Sequence, residues 1–212
     1  MPSQREIRIR IGSVKNIKQI TRAMQFVAAS KLKRAQESTL AARPYSDKLE
    51  EVLADIATVL SGDEHPLLKQ PDGGKRLIVL VTSDRGLAGP FNTNTIRYAS
   101  REIVEHPGDL SVITVGRKGR DAMRRAGVPI DAHFAGYGDR PKFGDVLPLA
   151  RLVSEEFLAG TYGRMDIIFS RFVSTLVQRP QLTQLLPIRT TADTEGIPGN
   201  QFIFEPSPAA VL

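Results

Sequence analysis

The sequence predicts an α/β protein in two parts, a very long N-terminal helix followed by a mostly parallel sheet domain with helices on both faces. Three observations predict it. Apolar residues recur at helical spacing from residue 7 to residue 59. Beyond residue 75, short continuous apolar runs alternate with amphipathic segments, the order that builds parallel sheets covered on both faces. Glycine and proline clusters stand between these segments and none interrupts a run.

The long helix is predicted over residues 3–62. Ser3 with Glu6 three positions on forms a capping box, in which each side chain satisfies a backbone donor of the first turn. Ser61 and Gly62 follow Val59 and Leu60, and Pro66 stands beyond, the order of a C-cap and a stop. At 1.5 Å per residue such a helix measures roughly 85 Å, whereas a compact chain of this length has a radius of gyration of about 17 Å. Most of it is therefore expected to extend beyond any compact core. Pro44 is expected to kink or locally break it near Ala42 and Arg43, because proline lacks a donor and crowds the preceding turn.

Counting sevens from Ile7 gives Val14, Thr21, Ala28, Ala35, Ala42, Leu49 and Ile56, a row without a charge. The companion row holds Arg10, Ile17, Met24, Lys31, Ser38, Tyr45, Val52 and Val59. Small residues at the centre let a second helix approach closely, so the seam predicts a coiled coil. Charge follows the same segment. Up to Arg43 there are ten basic residues against Glu6 and Glu37, whereas the rest of the chain carries 19 basic and 21 acidic residues. The net +6 of the whole chain thus belongs to the helix.

With 212 residues, of which 41% are hydrophobic and 25% charged, the chain can build one good core plus an extension. It contains no cysteine, which excludes disulfides, thiolate metal sites and dithiol switches. No run of about 18 apolar residues spans a bilayer, and the N-terminus shows no apolar signal core.

Residues 63–75 read as a linker with the Asp72-Gly73-Gly74 turn signal, and residues 76–208 as the α/β domain. Strands are predicted at 77–81, 110–115, 130–134 and 165–173, with a last strand at 181–188 across a turn at Arg179-Pro180. Helices are predicted from Asn92 or Thr93, either of which can cap, to about residue 105, at 117–126, and at 145–159 with Val146, Leu149, Leu152, Val153 and Phe157 inward. The result is a Rossmann-like sheet with an antiparallel addition from its last pair.

Catalytic chemistry is hard to find. Gly86 and Gly89 follow the first strand, where α/β domains bind ligands, yet neither a phosphate loop nor a dinucleotide fingerprint is present. Ser83 has no identifiable base partner and reads as a turn residue. His65, His106 and His133 lack ligand spacing. No catalytic residue, directly bound cofactor or metal is assigned. A nucleic-acid-binding helix fused to an α/β domain is the alternative reading, since ten basic residues along a rod can track phosphates. The alanine-rich seam and the lack of interleaved aromatics speak against it.

Five segments carry a resemblance: IRIRIGSVKNIKQITRAMQFVAASKLKRAQ at 7–36, RPYSDKL at 43–49, SDRGLAGPFNTN at 83–94, LVQRPQLTQLLPI at 176–188 and FEPSPAAVL at 204–212. In that order they resemble the gamma subunit of the bacterial F-type rotary ATP synthase. The resemblance implies a non-catalytic central-stalk rotor coupling proton flow through the membrane c-ring to ATP synthesis or hydrolysis on the alpha and beta subunits. It implies an antiparallel coiled-coil shaft and a base domain, peripheral to the cytoplasmic face of the bacterial plasma membrane, with no span of its own. ATP, ADP and Mg are then held by partner subunits, and the partners are alpha, beta, epsilon and the c-ring, with no nucleic acid. Shaft contacts to alpha and beta are expected at Lys15, Lys18, Thr21, Arg22, Met24, Lys31, Lys33 and Arg34. Contacts to the c-ring and epsilon are expected at Arg43, Pro44, Tyr45, Phe204, Glu205 and Pro206. The family's second shaft helix is expected to begin at 209–212, which marks the sequence as truncated relative to that pattern. The cysteine pair of the redox-regulated chloroplast members is absent, so thiol control is not expected.

Overall fold

The computed structural model of the chain describes residues 3–60, 65–69, 71, 73–138, 140–188 and 205. The chain divides into two compact units, Met1–Lys48 and Leu49–Leu212. Helix α1 (Gln4–Val59) supplies all of the described part of the first unit except Ser3, and the opening turns of the second. Its start follows from the capping box. The Ser3 amide donates to Glu6 Oε2 at 2.8 Å, and the Glu6 amide donates to Ser3 Oγ at 3.3 Å. The expected cap at Ser61 and Gly62 lies outside the described residues.

The helix runs unbroken through Pro44, contrary to the break expected there. Proline costs the helix one backbone bond, to the carbonyl of Leu40. Leu40 is itself 53% exposed, so water can take over that acceptor. Within the second unit, Ile56 and Ala57 are buried at the end of α1.

The second unit is a five-stranded sheet in the order β3-β2-β1-β4-β5. Its strands are β1 (Lys75–Val81), β2 (Leu110–Val115), β3 (Ile130–Phe134), β4 (Tyr162–Phe172) and β5 (Gln178–Leu186). The first four pair in parallel and β5 runs antiparallel to β4. β1 sits at the centre and reads as a continuous apolar run because helices cover both of its faces. Leu77, Val79, Ile113, Val115 and Met165 form one core with Val153 and Phe157 of α4 (Phe143–Leu158). Ile78, Leu80, Val112 and Ile168 form the other with Ala99 of α2 (Phe91–Glu105) and Met123 of α3 (Arg117–Arg125).

Three local expectations are corrected. Pro90, and neither Asn92 nor Thr93, holds the N-cap position of α2, because the Asn92 amide is engaged with Ser83. Val146 is 39% exposed rather than inward, for it stands in the first turn of α4, which starts two residues earlier than expected. The β4–β5 turn lies at residues 173–177, closed by the Ser174 amide donating to the Val177 carbonyl at 3.0 Å, and not at Arg179-Pro180. Pro180 is inside β5, a place proline tolerates because β5 is a sheet edge.

Candidate functional site

Two surfaces compete for a functional reading: the first unit's helix and the carboxyl end of the sheet. On α1, every described residue before Leu49 is exposed except Gln36 and Arg43, which are half-buried. Ile7, Val14, Ile17, Met24 and Leu49 of the seam rows stand 45–63% exposed. The Thr21 hydroxyl donates to the carbonyls of Ile17 (2.8 Å) and Lys18 (3.1 Å), which ties its polar atom to the helix and keeps the row compatible with an apolar partner.

Lys15, Lys18, Arg22 and Lys33 fall on one face by helical geometry. Lys31 and Arg34 lie off that face. Arg34 is tied to Ser30, its Nε donating to the carbonyl at 3.3 Å. Lys33 approaches Glu37 at 3.9 Å with both side chains in solvent, a contact of at most about 1 kcal/mol. Arg43, Pro44 and Tyr45 share one turn of α1, and Tyr45 is 73% exposed, so it is not core filling. Glu205 is exposed in the other unit, while Phe204 and Pro206 lie outside the described residues.

At the carboxyl end of the sheet, the first amides of α3 face the place where α/β folds bind phosphates. Each already has a protein acceptor. The Arg117 amide donates to Asp84 Oδ1 (3.1 Å), the Lys118 amide to the Ser83 carbonyl (3.1 Å) and the Gly119 amide to Thr82 Oγ1 (2.8 Å). Asp84 Oδ2 accepts from the Gly136 amide at 2.8 Å, so one carboxylate joins the loops after β1, β2 and β3. That Gly136 bond, reinforced by the Arg117 amide and charge against some desolvation, holds the Asp84 carboxyl below its usual range. Gly116 seals the same corner. Its φ is +91°, and a Cβ there would run into the Thr82 carbonyl oxygen. The Ser83 hydroxyl is occupied as well, donating to the Arg85 carbonyl at 2.6 Å with Asn92 against it, so it is a turn brace rather than a nucleophile.

Sequence reasoning missed the buried polar groups that hold this domain. Asp166, fully buried in β4, sits 2.7 Å from Arg76 Nε and 3.0 Å from Arg164 Nε. Its signal was available as a lone carboxylate inside the apolar Met165–Ile168 run, the kind of charge that leaves water only when paired. The Tyr162 hydroxyl donates to Asp131, and burial first, then that bond, pushes the phenol up to about 12. No group of three or more acidic or histidine side chains arranged to hold a metal occurs among the described residues, and no described helix is long and apolar enough to cross a membrane.

The geometry thus defines a class: an α/β domain with its own core and its helix amides capped from within, continuous in sequence with a long helix that leaves its apolar seam and its basic face in solvent. The ATP synthase family matches residues 3–212, and the chain belongs to it as a gamma chain, a non-catalytic subunit. The ATP synthase gamma chain of Pelotomaculum thermopropionicum is 44% identical over 212 residues, covering all of this chain and 75% of the relative. That of Desulforamulus reducens is 41% identical, again over all of this chain and 75% of the relative. Among solved structures, the central stalk and c-ring of Tetrahymena thermophila mitochondrial ATP synthase matches with a TM-score of 0.61 at 22% identity, covering 79% of this chain and 72% of that one. The rotor of Euglena gracilis mitochondrial ATP synthase matches with a TM-score of 0.55 at 18% identity, over 84% of this chain and 61% of that one.

Proposed function

We propose that this chain is the central-stalk rotor subunit of a proton-driven ATP synthase, transmitting rotation from a membrane c-ring to catalytic alpha and beta subunits. The observation that carries the reading is the exposed seam of α1 with basic residues beside it, in a chain whose relatives are ATP synthase gamma chains. A bare seam of this length needs a partner helix, because long helices draw most of their stability from packing. Lys15, Lys18, Thr21, Arg22, Met24, Lys31, Lys33 and Arg34 are the contacts to alpha and beta in this reading. Arg43, Pro44, Tyr45, Phe204, Glu205 and Pro206 face the c-ring and the epsilon subunit. The chain binds no nucleotide itself and stays peripheral to the cytoplasmic face of the membrane.

Magnitudes favour a steric coupling. Driving a two-state catalytic subunit from about 1:99 to 99:1 needs roughly 5.5 kcal/mol of differential interaction. An exposed ion pair supplies about 0–1 kcal/mol. A stiff rod pressing on its neighbours therefore carries the coupling, and the basic face guides the fit. The test is ATP synthesis in reconstituted vesicles, with the rest of the relatives' length supplied and assembly matched. Removing the charge of Lys18, Lys31 or Lys33 singly leaves most synthesis intact, while Ala28→Gly with Ala29→Gly, softening the rod by up to about 1 kcal/mol per glycine, loses much more. The reverse outcome would replace the rod with a specific electrostatic catch.

A further inference from the structure

The two edges of the sheet are not alike. β5 carries Pro180, which removes a backbone donor and discourages another strand from pairing there. β3, at the opposite edge, reads Ile-Asp-Ala-His-Phe with no proline and is partly buried along most of its length. Between this edge and α3 lies a groove of about 540 Å³. Val128, Ile130, Asp131, Ala132 and His133 line its strand side, and Arg120 and Arg124, one turn apart, line its helix side.

We propose that this groove binds an extended, acidic segment of a partner protein, which adds a strand to β3 and turns carboxylates toward Arg120 and Arg124. A groove between an edge strand and a helix is the geometry by which sheet domains take up peptides: backbone pairing gives affinity and alternate side chains give specificity. Charge selects the occupant. Of the α3 arginines, Arg120 and Arg124 line the groove, and the one acid of the helix, Asp121, orients Arg120, its Oδ1 accepting from Nε (3.0 Å) and Nη2 (2.8 Å). Asp131, the one acid of β3, also lines the groove, where it accepts from the Tyr162 hydroxyl, and the two arginines still leave the lining net positive. His133 is held on one side by Thr114, with Nδ1 3.0 Å from its hydroxyl. A second copy of this chain would bring arginines against arginines and does not fit.

The test uses the full chain and a fluorescent eight-residue peptide alternating valine and glutamate. Two further peptides of the same sequence are N-methylated at alternate backbone positions, in opposite phase. Saturable binding is expected, with amide exchange slowed at residues 128–134. Arg120→Glu with Arg124→Glu weakens it about tenfold or more, and one of the two N-methylated peptides fails to bind. Absence of saturable binding, protection confined to residues 4–48, or equal binding by both N-methylated peptides would overturn the proposal. The methylated pair decides the matter even if the double variant does not fold.

Discussion

In the sheet domain, the charged groups that leave water find partners, as Asp166 does between Arg76 and Arg164, and the apolar faces of the strands meet helices. On residues 4–48 the opposite holds. The charged residues except the half-buried Arg43 are exposed, and large apolar side chains such as Phe26 and Val14 stand 68% and 63% exposed. One region closes its own accounts; the other is written for a partner. The difference supports the proposal that the rotor contacts lie on the exposed helix, and at the crevice where α/β folds usually do chemistry Asp84, Ser83 and Thr82 already occupy the first amides of α3.

The contrast predicts unequal responses to similar changes. The largest is expected at Asp166→Ala, which strands Arg76 without its buried partner and lowers unfolding stability by about 3–5 kcal/mol in a denaturant titration. Gly116→Ala follows, at about 1–3 kcal/mol or more, because the new Cβ meets the Thr82 carbonyl in a left-handed backbone. In the first unit the same exchange has the opposite sign. Nothing lies within 4 Å of a Cβ at Gly12, and Gly12→Ala raises helix stability by about 0.8–1 kcal/mol, visible as increased helicity by circular dichroism.

Titration sharpens the comparison on the alkaline side. The Tyr162 phenol is raised in the folded chain to about 12, above its ordinary value near 10. Its contribution is therefore complete below about pH 10 and is lost as pH rises from there toward 12. Tyr162→Phe keeps the ring and flattens that part of the stability profile. The smallest effect belongs to the first unit again: Lys33→Ala changes stability by less than about 0.5 kcal/mol, since its partner Glu37 is equally solvated.

Much of the fold was legible because hydrophobic period and punctuation agree. β2 and β3 stand at their predicted bounds, and the capping box fixed the start of α1. The errors share a cause. Asn92 has the chemistry of a cap, but Ser83, nine residues away in sequence, claims its amide, and a local rule does not see that claim. Arg179-Pro180 has the composition of a turn, yet edge position in the sheet lets the pair enter a strand. The basic face and the seam of α1 could be read directly, since periodicity places residues on a helix without tertiary information. Asp84 and Tyr162 could not, because their partners Gly136 and Asp131 lie far along the chain.

Amide hydrogen exchange on the isolated chain, shown to be monomeric, tests most directly whether the sheet domain is complete in itself while the first helix depends on a partner. The slowest amides are expected in β1, β2 and β4, and fast exchange is expected from Lys15 to Arg43, because an unpacked seam leaves helical hydrogen bonds open to local fraying. Equal protection of both regions would contradict the account, for it would mean that the seam of α1 needs no second helix.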